Sequence, residues 1–368
     1  MGQPEKKKAL SQRPHVLPDW LIEKGLPDTL DRWAYRKDHT AEFAEFLLLR
    51  TPEDPEKVRQ LFQCGNYLKF GIWDIPEIPK PKLLYSNLCK NHHLCSNCAA
   101  RRGNMAAAVL AEKCDQLLKL NPSKKLVFIT FTVKNGEDLN ERLTHLRNSH
   151  KKLKTKRRNA QKGKTSSSIK DLEGGAGAYE LTYNSKTKEW HPHIHEVALV
   201  QASVKTNLLQ VDISKEWHKI TGDSFVVDVK EVQGESKEDL AMACLEIMKY
   251  SLKQANMTPM DQYKAYLVVQ KKRLHYSYGC FYGFKFPEDY NRDAITELMK
   301  TNPYLEVILK YNYGRYVHES TTRKDHWISV NPFESEGESD SDEDSTSFDK
   351  RADLLVEKIK DRHRHTNT

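Results

Sequence analysis

The sequence lacks any apolar run long enough to cross a bilayer, and its opening "MGQPEKKKAL" has no apolar stretch behind the lysines. Neither a membrane span nor a signal peptide is therefore expected, which points to a cytosolic chain with no membrane partner. Met1-Gly2 is not read as a myristoylation signal, because Lys6 stands where that motif wants Ser or Thr. No internal repeat is visible. No GxxxxGK[ST] is present either: "KGKT" at Lys162–Thr165 lacks the upstream glycine, so a built-in nucleotide-driven motor is not expected. Hydrophobic residues make up only 38% of the chain against 30% charged, with a mean hydropathy of −0.74, as in a polar, soluble protein.

At 368 residues the chain is long enough for one large domain with appendages or for two compact domains. Its net charge of +8 is unevenly spread. Basic residues crowd "HKKLKTKRRNAQKGK" (His150 to Lys164), whereas "ESEGESDSDED" (Glu334 to Asp344) is nearly all acid and serine. The body without that segment is more basic than the total, which fits a polyanionic partner, although a Lys/Arg run is more often a solvated loop.

Residues 1–60 read as a polar, proline-punctuated accessory region with one apolar segment, "FAEFLLLR" (Phe43 to Arg50). Residues 61–120 form a cysteine segment leading into an Ala/Leu-rich helix. Residues 121–290 read as the main domain: a buried-type strand "KKLVFITFTV"; a helix with Leu139, Leu143, Leu146 and Leu153 on one face; a basic loop; the breaker "EGGAGA"; and the strands "YELTY" and "EWHPHIHEVALV" joined by "NSKTKE". "EWHKI" then reads as helix, "SFVVDVKEV" as strand and "KEDLAMACLEIMKYSLKQA" as a strong helix. A C-terminal extension over 291–333 and an acidic linker with a terminal helix over 334–368 complete the chain. Strands alternating singly and in hairpins with helices predict an α+β fold with a central antiparallel sheet and flanking helices, not a doubly wound sheet.

The seven cysteines are unevenly spaced and accompany no secretion signal, so a disulfide framework is not expected. Cys95 and Cys98 form a C-x2-C knuckle able to direct two thiolates at one Zn²⁺, with Cys89 close by. The fourth ligand is open among Cys64, His92 and His93, and the competing reading is buried thiols with a chance C-x2-C. Cys114, Cys244 and Cys280 sit in periodic segments and read as core.

In a strand, His191, His193 and His195 share one face. If that strand folds back on "YELTY" through a turn near Lys186 and Thr187, Glu180 lies opposite His193, Thr182 opposite His191 and Ala178 opposite His195. Two imidazoles and a carboxylate with open positions suit Mg²⁺, Mn²⁺ or a transition ion better than a closed structural Zn²⁺. Pro192 puts His191 at the strand entrance, where it is the less certain ligand. The competing reading is a polar sheet face with solvated histidines. Glu196 falls on the other face.

At about 100° per residue, Glu246, Tyr250 and Lys253 make one narrow helical stripe, and Leu240, Cys244, Leu245, Ile247, Met248 and Leu252 lie opposite. Alone, such a trio is an ordinary exposed face. Beside a metal site it has a chemical logic: a tyrosine hydroxyl attacks a phosphodiester, Lys253 favours the phenolate, and Glu246 takes a proton from water in a second event.

Taken in order over about Cys64 to Phe286, these segments resemble the HUH-endonuclease superfamily, and within it the rolling-circle replication initiators (Rep proteins) of small Gram-positive plasmids, in the subgroup with one Tyr and a Glu four residues before it. "FITFTV", "HPHIH" and "EIMKYSLK" resemble the three Rep motifs. "YELTYN" resembles the segment with the acidic metal ligand. "QCGNYLKF" and "CKNHHLCSNC" resemble the amino-terminal cysteine segment, which favours Cys64 as fourth zinc ligand. Glu196 departs from the pattern, standing where apolar residues are usual. The resemblance implies an HUH endonuclease fold and a site-specific DNA nicking enzyme that binds a double-strand origin. Tyr250 would attack a phosphate polarised by Mg²⁺ or Mn²⁺ on Glu180, His193 and His195, leaving a 5′-phosphotyrosine and a 3′-OH primer; Glu246 would activate water for the closing cleavage and strand transfer. Implied partners are single- and double-stranded origin DNA, a host helicase and the host replication machinery; a homo-oligomer is left open. Competing readings are a transposase or relaxase of the same superfamily, a non-catalytic zinc-bearing DNA-binding regulator, and a metal-dependent hydrolase of small molecules.

Overall fold

A computed structural model describes residues 14–51, 54–76, 78–232, 237–248, 257–283 and 299–325. The chain divides into two compact units, Met1–Ala99 with Asn291–Thr368, and Ala100–Tyr290. Both described sheets are antiparallel throughout and carry flanking helices, so the α+β expectation holds. No described helix is long and apolar enough to cross a membrane.

In the first unit, helices α1 (Asp19–Glu23), α2 (Leu26–Arg50) and α3 (Pro55–Gln63) accompany strands β1 (Tyr67–Ile72), β2 (Lys82–Ser86), β8 (Tyr304–Asn312) and β9 (Arg315–Lys324), in sheet order β2-β1-β8-β9. The polar sequence of α2 hides a stripe in which Leu26, Leu30, Ala34, Phe43 and Leu47 are buried. The same buried stripe includes Lys37, whose Nζ donates to the carbonyls of Phe62 (2.6 Å) and Cys64 (3.1 Å), which offsets the cost of burying a charge. Strands β8 and β9 form a hairpin closed by Tyr313 and Gly314, both at positive φ as a two-residue primed turn requires.

The second unit is a five-stranded sheet, β6-β3-β5-β4-β7, built from β3 (Lys124–Thr132), β4 (Gly174–Asn184), β5 (Glu189–Gln201), β6 (Val227–Glu231) and β7 (His275–Gly279). Helix α4 (Ser96–Leu120) spans the boundary between the units in sequence. Helices α5 (Leu139–Gln161), α6 (Thr206–Thr221), α7 (Lys237–Met248) and α8 (Pro259–Val269) follow. The leucines of α5 pack with Ile129, Phe131, Tyr179 and Leu181 on one face of the sheet. The apolar residues of α4 and α7, among them Leu110, Cys114, Cys244 and Ile247, pack with Ala176, Val197 and Leu199 on the other. The buried side of α7 is the one its periodicity predicts.

Two local expectations are corrected. The basic run is not a loop: α5 continues through it to Gln161, because Leu153, Arg157 and Ala160 carry the buried face onward. "GGAGA" is not a breaker: it is the first half of β4, and its glycines make room for what lies beneath them. A Cβ on Gly177 would sit 2.6 Å from the Tyr276 hydroxyl, and one on Gly175 would sit 2.8 Å from Glu196 Oε1.

Candidate functional site

Strands β4 and β5 are joined by a turn over residues 185–188, in which Asn184 Oδ1 accepts from the backbone N–H of Lys186 at 3.0 Å and Lys188 takes positive φ. This turn sets the predicted register: Ala178 pairs with His195, Glu180 with His193 and Thr182 with His191. Because β5 is the central strand, β3 adds a third row, with Thr132 opposite His193 and Thr130 opposite His195.

Glu180, His193 and His195 converge, with one ligand atom from each lying within 4.8 Å of the others. Glu180 Oε2 is 3.6 Å from His193 Nε2 and 3.3 Å from His195 Nε2. The other nitrogen of each ring is engaged. His193 Nδ1 lies 3.2 Å from the His191 carbonyl and so donates, which leaves Nε2 with its lone pair facing the carboxylate. His195 Nδ1 shares a hydrogen bond of 3.1 Å with the Thr130 hydroxyl. Two ring nitrogens and a carboxylate oxygen aimed at one point fit a divalent cation, and this donor set matches the mixed N/O ligation of a hard or borderline ion.

His191 stands outside this group. Its ring is 5.0 Å from that of His193, and its Nδ1 lies 2.6 Å from Asn135 Oδ1. The ladder with β3 ends at His193 and resumes only as a bridge between Gly136 and Trp190, so the intervening segment arches past Pro192 and carries Asn135 to His191. Neither Asn135 nor the Thr130 hydroxyl was singled out from the sequence. An alternation count places Thr130 on the histidine face, but no periodicity reports the Asn135 arch.

Behind the sheet, Glu196 is buried as the alternation requires, and it is not idle. Its carboxylate accepts from the Tyr276 and Tyr278 hydroxyls, each at 2.6 Å, and faces His150 Nε2 at 3.8 Å. Burial pushes this carboxyl up, but the hydrogen bonds of His150, Tyr276 and Tyr278 outweigh it and hold it below the usual range. Burial also lowers His150 to about 4, which keeps the ring neutral while its Nδ1 shares a hydrogen bond of 2.9 Å with the Tyr179 hydroxyl.

On the helix, Glu246 is half-buried on α7, which packs across the face of the sheet that carries Glu180 and the two histidines. Tyr250 and Lys253 lie outside the described residues.

In the first unit, Cys64, Cys89, Cys95 and Cys98 form a second candidate metal group, which contains neither His92 nor His93. Cys64 caps α3 and Cys95 precedes α4. Sulfur separations are 3.4 Å for Cys64–Cys95 and 3.6 Å for both Cys64–Cys98 and Cys89–Cys98. Four thiolates held at about 2.3 Å around one tetrahedral ion lie about 3.8 Å apart, whereas a disulfide needs about 2.05 Å. The backbone N–H of Cys98 points at Cys95 Sγ at 3.5 Å. Hydrogen bonds with Cys64, Cys89 and Cys98 hold the Cys95 thiol well below its ordinary range, while those with Cys64, Cys89 and Cys95 push Cys98 up. Cys114 and Cys244 are buried between α4 and α7 with Cys280 against them, consistent with core residues.

A family model described as "Replication protein" matches residues 80–302, well over half of the chain. The chain belongs to that family. Curated relatives agree with this Rep assignment. A "Protein rep" of Streptococcus pneumoniae is 29% identical over 53% of this chain and 60% of its own length. One from Staphylococcus aureus is 27% identical over 62% of this chain and 94% of its own length, and one from Lactiplantibacillus plantarum 25% over 67% and 75%. No solved structure matches the chain significantly. The resemblance to rolling-circle Rep initiators read from the sequence is thus borne out at the level of the family.

Proposed function

We propose that this Rep protein starts rolling-circle replication of a plasmid by nicking one strand at its double-strand origin, with residues 121–290 as an HUH nicking domain. The observation that carries the proposal is the convergence of His193 Nε2, His195 Nε2 and the Glu180 carboxylate on one face of β4 and β5. Glu180, His193 and His195 would hold a divalent cation such as Mg²⁺ or Mn²⁺, which would supply Lewis-acid withdrawal of charge from a phosphate. Tyr250 then forms its bond to phosphorus while the bond to the 3′ oxygen breaks, which leaves a 5′-phosphotyrosine and a free 3′-OH. Lys253, three residues further along the sequence, favours the phenolate. Glu246 takes a proton from the water that hydrolyses the bond closing the round, so a second tyrosine is not needed. Support for the roles of Tyr250 and Lys253 comes from their spacing to Glu246 in the sequence and from the family motif they resemble.

The Cys64, Cys89, Cys95 and Cys98 group is assigned to a structural Zn²⁺ within a segment over 61–120, and it contributes folding energy, not chemistry. Unwinding falls to a host helicase. The test is incubation with Mg²⁺ or Mn²⁺ and labelled single-stranded oligonucleotides covering the origin. A covalent protein–DNA adduct absent from Tyr250→Phe is expected, and Glu246→Ala should attach but stay trapped. A wild type that binds metal and DNA yet forms no adduct would make the protein a non-catalytic regulator.

A further inference from the structure

The stretch from Arg142 to Lys170 holds eleven Lys and Arg residues and no Asp or Glu. Helix α5 and its C-cap residue Lys162 sort nine of them into two sets. Arg142, Arg147, Lys154, Lys156 and Arg157 are engaged within the protein. Arg142 pairs with Asp223 at 2.8 Å and Lys156 with Glu216 at 2.7 Å. Arg147 donates to the Arg273 carbonyl at 2.7 Å, Lys154 sits 4.4 Å over the Tyr276 ring, and Arg157 donates from Nε to the Leu172 carbonyl at 2.9 Å.

The second set faces solvent. At about 100° per residue, Asn148, Lys151, Lys152, Thr155, Arg158 and Lys162 fall within an arc of about 120°. Asn148, Lys151, Lys152, Arg158 and Lys162 are exposed, and no carboxylate among the described residues is ion-paired with any of these four cations. An ordinary solvated helix mixes signs, as α4 does where Lys119 pairs with Asp115 four residues before it. The α5 ridge instead interleaves cations with Asn and Thr, which suits phosphates flanking readable base edges. The Arg158 guanidinium is also braced, 3.2 Å from the Thr155 hydroxyl.

The helix that carries the ridge is held firmly. Asp138 caps it by accepting from the Glu141 N–H at 3.0 Å, and four leucines, Leu139, Leu143, Leu146 and Leu153, anchor it to the sheet. They pack against Ile129, Phe131, Tyr179 and Leu181, the residues that alternate with Thr130 and Glu180. The ridge therefore projects from the face of the sheet opposite the metal group.

We infer that α5 is a duplex-reading helix: its ridge enters the major groove of B-form DNA, while cleavage of the single strand proceeds on the other side of the sheet. This rests on the nicking role proposed above only in assigning the second surface to single strands. A major groove about 12 Å wide admits one helix, and a 23-residue α-helix is about 35 Å long, ample for several successive base pairs.

The test compares wild type with Lys151→Gln/Lys152→Gln/Arg158→Gln/Lys162→Gln, four exposed changes that keep good helix formers. Binding is measured by fluorescence anisotropy on overlapping duplex fragments tiling the replicon that encodes the chain, with an unrelated duplex as competitor, across a salt series. Nicking is measured on the single-stranded oligonucleotides. The expected result is duplex affinity lower by about tenfold or more and a salt slope shallower by about three to four, with single-strand nicking unchanged. Thr155→Ala and Asn148→Ala should lower the preference for the favoured fragment over the competitor with little change in salt slope. Unchanged duplex binding in the fourfold variant overturns the inference, as does an equal loss on duplex and single strand. A wild type that binds its duplex through this ridge but never nicks leaves the inference standing and removes the nicking role instead.

Discussion

Glu180 and His193 stand directly opposite each other across β4 and β5, with Oε2 and Nε2 3.6 Å apart and both side chains buried. Their proximity follows from the register of one hairpin and needs no loop to close. Glu180→Gln keeps the shape but removes the charge. It should cut Mn²⁺ affinity, read by titration calorimetry, by at least tenfold and take nicking with it. Thr130→Val, which only removes the hydroxyl beside His195 Nδ1, should cost about 10- to 100-fold in the same titration with the circular-dichroism spectrum unchanged.

The cysteine group predicts one zinc per chain by elemental analysis. Cys95→Ser should lose that zinc and lower the melting temperature of the protein. Nicking of a short single strand by the surviving folded fraction should continue, since no ligand of the Glu180 group lies in that unit.

Gly177→Ala should destabilise by about 1–3 kcal/mol, because the added methyl meets both the Tyr276 hydroxyl and the His195 carbonyl. Chemical denaturation measures the loss. Tyr276→Phe in the same chain should recover part of it, since the hydroxyl is one of the two obstacles.

His150 supplies a pH dependence. Glu196, Tyr179 and Tyr276 face its ring, with Arg147 and Lys154 nearby, and burial brings it from 6.5 to about 4. The unfolded chain therefore takes up the proton more readily than the native one. Stability is fully present above pH 6.5 and falls as pH drops toward 4, by up to about 3 kcal/mol. Urea denaturation midpoints between pH 7 and pH 4 should show this slope, and His150→Gln should flatten it. Glu196 acts in a lower window, beneath its ordinary 4.5.

Much of the site was legible because strand arithmetic is strict. A two-residue period and one turn position are enough to set Glu180 against His193, and the C-x2-C spacing is enough to pair Cys95 with Cys98. What stayed hidden depends on contacts distant in sequence. The N-terminal helix α2 reads as polar because Lys37 occupies a buried position, satisfied by carbonyls 25 and 27 residues away. The glycines of β4 read as a breaker because their purpose lies in Tyr276 and Tyr278, on a strand about a hundred residues later. Strands β8 and β9 went unread within a supposed extension, although "NYGR" marks their turn.

Strand β1 pairs with β8, joining Ile72 to Leu305. During synthesis the edge of β1 that faces β8 must wait while roughly 230 further residues emerge, roughly ten to fifty seconds at 5–20 residues per second. The second unit, contiguous in sequence, is complete before then. Ribosome stalling anywhere in that interval leaves an open edge strand, the kind of surface chaperones and proteases recognise, so the level of active initiator in a cell becomes sensitive to translation speed across the middle of its own message.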